Sequence, residues 1–204
     1  MQTSSIIDDE TGRVWLSSNH MAPVEAAELY ETLKESLAWE PAVVRGFGRT
    51  HYPNRSVYAM ADPDAIPYSF SGSRVVPHPW HAAVASLRTS LEKGLGLWGL
   101  NFALLNYYRD GSSSLGYHAD DERDMQPGSP IVGVVLGYGR DFLIKAESDV
   151  AKSRHEKPIK TFIGPGDVFV MEGATQKHYK HSVPRRVRAG PRISITFRRM
   201  KTTD

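Results

Sequence analysis

Arg192-Ile193-Ser194-Ile195-Thr196-Phe197-Arg198 alternates polar and apolar residues without a break, the period of a strand with two chemically different faces. Ile193, Ile195 and Phe197 belong in an apolar core, while Arg192, Ser194, Thr196 and Arg198 share the other side. Two guanidinium groups on one face stay charged, and burying them unpaired is costly, so they call for an anionic partner. A dicarboxylate and an aspartate would supply one; the plainer alternative is an amphipathic strand with its arginines in water. From Leu100 onward, short alternating runs broken by Pro127-Gly128-Ser129-Pro130 and Gly164-Pro165-Gly166-Asp167 indicate antiparallel strands.

Upstream stands His118-Ala119-Asp120, and downstream His181-Ser182-Val183-Pro184. On a strand, His118 and Asp120 share a face and can reach one metal ion while Ala119 points away. Two imidazoles and a carboxylate with open positions form the ligand set of non-haem Fe(II) oxygenases. Alone, His-x-Asp fits a turn or a solvated strand end equally well. Asn106 and Tyr108, spaced by two after Phe102-Ala103-Leu104-Leu105, can add an amide and a phenol to the same pocket.

Pro23 opens an amphipathic helix carrying Val24, Ala27, Tyr30, Leu33 and Leu37. Pro79 to Lys93 reads as a second, with Trp80, Val84, Leu87 and Leu91 inward and Gly94 as its stop. The 204 residues suffice for a sizeable core, and no linker or repeat divides them, so a single domain is expected. The expected fold is mainly β with flanking helices, an α+β chain built on a jelly roll, with helices first and the sandwich from about residue 100 to 200. With no cysteine, disulfides and thiolate metal sites are excluded. No apolar run can span a bilayer, so an intracellular protein without a membrane partner is expected. It would be cytoplasmic or nucleoid-associated in a bacterium and nuclear in a eukaryote. Net charge is only +2, yet 14 Lys and Arg against 6 Asp and Glu follow residue 144, and 11 against 17 precede it. The C-terminal third is therefore the phosphate-facing part, densest at Arg185, Arg186 and Arg188.

Together these motifs resemble the AlkB family of Fe(II)/2-oxoglutarate-dependent nucleic-acid dealkylases, most of all its animal branch that repairs duplex DNA. The resemblance runs from about Phe47 to Met200. It includes Tyr68-Ser69-Phe70-Ser71-Gly72, His118-Ala119-Asp120-Asp121-Glu122-Arg123, Pro127-Gly128-Ser129-Pro130-Ile131 and Arg140-Asp141-Phe142. It implies a double-stranded β-helix, cupin-like, in which His118, Asp120 and His181 bind Fe(II). His178 is the competing third ligand; His181 is preferred because it heads the family's His-Ser-x-Pro element. Arg192 would hold the distal carboxylate of 2-oxoglutarate, Arg198 would sit near the iron-bound end and Asp120, and Asn106 and Tyr108 would hydrogen-bond the cosubstrate.

The implied reaction uses O2 and 2-oxoglutarate to demethylate bases such as 1-methyladenine and 3-methylcytosine, releasing formaldehyde, succinate and CO2. A base in a duplex must be flipped out to reach such a site. Tyr68, Phe70 and Ser71 resemble the family's base-binding wall, though two core aromatics on a strand would read the same. Asp121 and Glu122 would accept from an exocyclic amine or a cationic methylated base; a run of acids is otherwise a solvated loop. Phe47, in Arg45-Gly46-Phe47-Gly48-Arg49, has the form of an apolar wedge on a hairpin flanked by phosphate-binding arginines, the alternative being a ring folded back onto the core. The expected partner is nucleic acid, DNA before RNA, met by a monomer. An RNA demethylase or protein hydroxylase of the same cofactor class, and a non-catalytic nucleic-acid-binding module, are the alternatives.

Overall fold

A computed structural model of the chain describes residues 2–46, 49–66, 69–70, 73–74 and 76–203, with backbone alone at 44–46, 69–70 and 73–74. The chain opens with strands β1 (Gln2–Asp9) and β2 (Gly12–Ser18), helix α1 (Pro23–Ser36), and strands β3 (Glu40–Pro41), β4 (Val44–Gly46), β5 (Arg49–His51) and β6 (Ser56–Ala61). The short strands β7 (Ser69–Phe70) and β8 (Ser73–Arg74) follow, then helix α2 (Ala82–Leu95), β9 (Phe102–Tyr108), β10 (Leu115–His118), β11 (Ile131–Gly137) and β12 (Arg140–Ala146). Helix α3 (Asp149–Arg154), β13 (Ile159–Ile163), β14 (Val168–Glu172), the single turn α4 (Thr175–His178), β15 (Tyr179–Val183) and β16 (Arg192–Arg198) complete it.

The strands assemble as two antiparallel sheets, the jelly-roll arrangement expected from the turn spacing. The larger runs β1-β2-β14-β11-β16-β9-β6-β3 and the smaller β10-β15-β12-β13. Two small hairpins, β4–β5 and β7–β8, stand apart from both. The strand period of two sorts the larger sheet into two layers. Ile193, Ile195 and Phe197 of β16, with Ala103 and Leu105 of β9, pack under α1 and α2. Tyr108, Val135 and Phe169, pointing the other way, meet Phe142, Ile144 and Ile163 of the smaller sheet. β11 lies between these layers, which is why Ile131-Val132-Gly133-Val134-Val135-Leu136 is apolar throughout and not alternating.

Each helix buries one stripe. Leu33 of α1 and Leu91 of α2 are fully enclosed, a burial worth about 1.5–3 kcal/mol each. The stripe of α1 runs through Ala26, Tyr30 and Leu33, while Val24 is exposed, so the expected phase is corrected in the first turn. α2 starts at Ala82 with His81 as its cap. Trp80 precedes it, packing on Phe197 and donating from its indole to Asp62 at 2.7 Å. The helix passes through Gly94 and ends at Gly96, whose φ of +65° supplies the left-handed cap. Strands come first as well: β1 and β2 form one side of the larger sheet, β2 pairing with β14, where helices had been expected to lead. Among the described residues no helix is long and apolar enough to cross a membrane.

Candidate metal centre

The site lies between the sheets. β10 and β15 pair antiparallel with His118 opposite His181, and the ring centroids are 4.2 Å apart. β10 ends at His118, so Asp120 enters from the following loop and not from the same strand face, correcting the strand reading of His-x-Asp. What holds it there is Gln176 of α4, whose side-chain oxygen accepts from the Asp120 backbone N–H at 2.9 Å. Asp120 Oδ1 lies 3.6 Å from His118 Nε2, and its Oδ2 lies 3.9 Å from His181 Nε2. All three ligand atoms fall within 4.8 Å of one another, a spacing that one divalent ion could bridge. The Nδ1 of His118 is 2.9 Å from the carbonyl of Gly116; as donor there, it leaves the Nε2 lone pair for a metal.

Electrostatics keep Asp120 and His181 in the protonation states that bind a metal. Burial alone would raise the Asp120 carboxyl, but Arg198, then His181 and His118, bring it down to about 2. Its ion pair with Arg198 Nη2 measures 2.9 Å, and both side chains are 3% exposed. Burial, reinforced by His118 and opposed by Asp120, lowers His181 to about 3, leaving a neutral imidazole at neutral pH. His178 is elsewhere: its Nδ1 meets Ser148 Oγ at 2.6 Å, and it is not in the ligand cluster.

Beside the ligands, β9 and β16 bring the remaining polar groups together. Arg192 stands opposite Tyr108 and Ser194 opposite Asn106 in register, and all line one cavity with Arg198 and the three ligand residues. Arg192 is 2% exposed, its guanidinium carbon 4.9 Å from the Tyr108 ring centroid. Burial lowers its pKa and Tyr108 partly offsets this. Its Nε and Nη1 have no hydrogen-bond partner among the described residues. Buried donors left over in this way require an acceptor, and a carboxylate of a bound dicarboxylic acid has the right charge and geometry.

Arg55 in the pocket escaped the sequence reading, and Arg140, quoted there only as part of a motif, proves to be a buried tie between loops. Arg55, from the loop before β6, is buried and donates from Nη1 to Asn106 Oδ1. Arg140 is 1% exposed and holds loop carbonyls, donating to Ser113 at 3.0 Å and also to Pro184; it ties the β9–β10 loop to the end of β15.

The outer parts of the expected site are less enclosed. Asp121 is exposed and Glu122 half-buried, directly after Asp120. Arg185 and Arg188 are exposed, whereas Arg186 pairs with Asp141 at 2.9 Å and lies over Phe162. Arg49 is exposed on β5, and Arg45 lies on β4 and Phe70 on β7, their side chains not described. Phe47, Tyr68 and Ser71 fall outside the described residues.

Comparison with known proteins agrees with this geometry. Residues 13–198 match the 2OG-Fe(II) oxygenase superfamily. The chain is 32% identical over 185 residues to the DNA oxidative demethylase ALKBH2 of Homo sapiens, covering 88% of this chain and 70% of that protein. It is 27% identical to the alpha-ketoglutarate-dependent dioxygenase alkB homolog 3 of Bos taurus, over 91% of this chain and 65% of that one. The solved structure of OsALKBH1 superimposes with a TM-score of 0.63 at 16% identity, covering 96% of this chain and all of that one, which bears on the fold alone.

Proposed function

This chain belongs to the 2OG-Fe(II) oxygenase superfamily and, within it, to the AlkB family, and we propose that it repairs DNA by demethylating N-methylated bases such as 1-methyladenine and 3-methylcytosine. It is a dioxygenase dependent on Fe(II), 2-oxoglutarate and O2. The observation that carries the reading is the convergence of His118, Asp120 and His181 beside a buried arginine with donors to spare.

In this reading His118, Asp120 and His181 hold Fe(II), with Asp120 kept ionised by Arg198. Arg192 takes the far carboxylate of 2-oxoglutarate, and Asn106 and Tyr108 donate to the cosubstrate from β9. When bound, iron with its cosubstrates supplies the oxidising power, so no protein nucleophile is required. The balance is one N-methyl group, one O2 and one 2-oxoglutarate giving the N–H base, formaldehyde, succinate and CO2. Leu104, Phe142, Phe169 and Val183 line the cavity and keep bulk water from the reacting carbon.

A duplex base must leave the stack to reach this buried site. Phe47 fills the gap it leaves, with Arg45 and Arg49 on the flanking phosphates. Tyr68, Phe70 and Ser71 take the role of the base-binding wall with His118 as the other face of the slot, and Asp121 and Glu122 accept from the base's edge. Arg185, Arg186 and Arg188 follow the backbone, giving affinity without sequence preference.

The test is to load the protein with Fe(II) anaerobically and supply methylated single-stranded DNA, duplex DNA and RNA in parallel, measuring formaldehyde and succinate. Turnover on DNA supports the proposal; turnover on RNA alone redirects it to the RNA reading. Absence of turnover on any nucleic acid removes it.

A further inference from the structure

We infer that Arg55 is a positioning residue for the cosubstrate, fixing the side-chain amide of Asn106 so that its NH2 group faces the ligand; this rests on the function proposed above. Arg55 lies outside the β9–β16 core, in the loop that enters β6, yet it lines the same cavity as Asn106, Tyr108 and Arg192. It is 5% exposed, as is Asn106. The loop is anchored: the Arg55 backbone N–H donates to Pro53 at 2.7 Å and its carbonyl accepts from Ala42 at 3.0 Å. Asn54 next to it reaches across to Ser112 at 2.7 Å. The guanidinium is thus delivered to Asn106 by a fixed segment.

The chemistry of the contact sets its polarity. A guanidinium has only donors, so the atom it holds on Asn106 must be the amide oxygen. That leaves the two N–H donors as the free end of Asn106. With Arg192 and Arg198 on the neighbouring strand, the wall presents donors, which suits an oxygen-rich dianion. Without Arg55, nothing in this contact favours that rotamer over its flip, which would point a carbonyl oxygen at the ligand's oxygens. Loss of one correctly aimed, charge-assisted contact in a dry pocket corresponds to roughly tenfold or more in affinity.

The experiment is calorimetric titration of 2-oxoglutarate into Mn(II)-loaded protein without turnover, for wild type, Arg55→Met, Arg55→Lys, Asn106→Ala and the Arg55→Met/Asn106→Ala double variant. Arg55→Met should weaken 2-oxoglutarate by roughly tenfold or more with Mn(II) affinity unchanged. Arg55→Lys, which retains a donor, should recover part of the loss. The double variant should be no weaker than the worse single one, because both remove the same aimed amide. In turnover, the same loss should appear as a raised KM for 2-oxoglutarate, with KM for nucleic acid unchanged. If Arg55→Met does not fold, Arg55→Gln, polar but too short to reach, carries the same expectation. An affinity within about twofold of wild type, or losses that multiply in the double variant, would overturn the inference. Wild-type protein that binds Mn(II) but no 2-oxoglutarate would instead overturn the functional reading on which it rests.

Discussion

His118 and His181 are register partners across β10 and β15, with ring centroids 4.2 Å apart. Burial and the neighbouring His118 keep His181 unprotonated, and the Asp120 carboxylate beside both rings completes a set of three candidate ligands. That pairing depends on neighbouring groups that do not themselves bind metal, and each can be tested.

Arg198 and Asp120 are a buried ion pair, so removing one partner strands the other. Arg198→Met should destabilise the metal-free protein by about 3–5 kcal/mol in urea unfolding. Adding Asp120→Leu should restore part of that loss. A single variant as stable as wild type would show that the pair is not desolvated as described.

Gln176 accepts from the Asp120 backbone at 2.9 Å and also approaches Met171 Sδ at 3.4 Å. Gln176→Leu should lower metal affinity by roughly 10–100-fold, the usual effect of losing an outer partner, while Gln176→Glu keeps the acceptor and most of the affinity. Equal affinity in Gln176→Leu and wild type would mean the loop is held by something else.

Gly133 lies flat beneath Phe169: a Cβ there would come within 2.0 Å of that ring. Phe169 packs on Phe142 at 5.0 Å between centroids, and Phe142 on His181 at 5.3 Å. Gly133→Ala should therefore cost about 1–3 kcal/mol from overpacking and weaken metal binding as the displacement reaches His181. Thermal unfolding and metal titration of the same variant measure the two effects.

The pH dependence of stability follows from His181 and Asp120. His181 is depressed from 6.5 to about 3, so between those values the unfolded chain binds a proton that the folded one refuses. Stability of the metal-free protein therefore falls as pH drops from about 6.5 towards 3. Asp120, lowered from 3.8 to about 2, contributes stability above 3.8 that disappears as pH falls through 2. His181→Gln should flatten the upper window only; urea midpoints across pH 3 to 7 that keep their slope in this variant would contradict the assignment.

Much of this was legible in the sequence, and the rest hidden for identifiable reasons. The alternation of Arg192 to Arg198 carries its meaning locally, because a strand sorts its side chains by parity alone, and the structure places both arginines in the pocket. His118, Asp120 and His181 were legible as a motif, although the strand ends before Asp120. Arg55 and Gln176 were not, since a loop brings Arg55 to β9 and the turn α4 brings Gln176 to Asp120 across long sequence separations. The phase of α1 and the stop of α2 were misplaced because Val24 and Gly94 satisfy helix rules that packing overrode. β1 and β2 carry no strong alternation; they pair with each other, and β2 joins the larger sheet through β14.

Phe47 is the proposed wedge, and its role separates two substrates. Phe47→Ala should reduce repair of methylated duplexes far more than of methylated single strands, because only the duplex leaves a gap to fill. Equal losses on both would show that Phe47 is not a wedge.

Every role assigned above depends on one ferrous ion held by His118, Asp120 and His181. Its test is anaerobic Fe(II) titration of wild type, His118→Ala, Asp120→Ala, His181→Ala and His178→Ala. The expected result is one ion per chain in wild type and His178→Ala, with binding lost or greatly weakened in the other three. Full binding in His181→Ala, or its loss in His178→Ala alone, would contradict it.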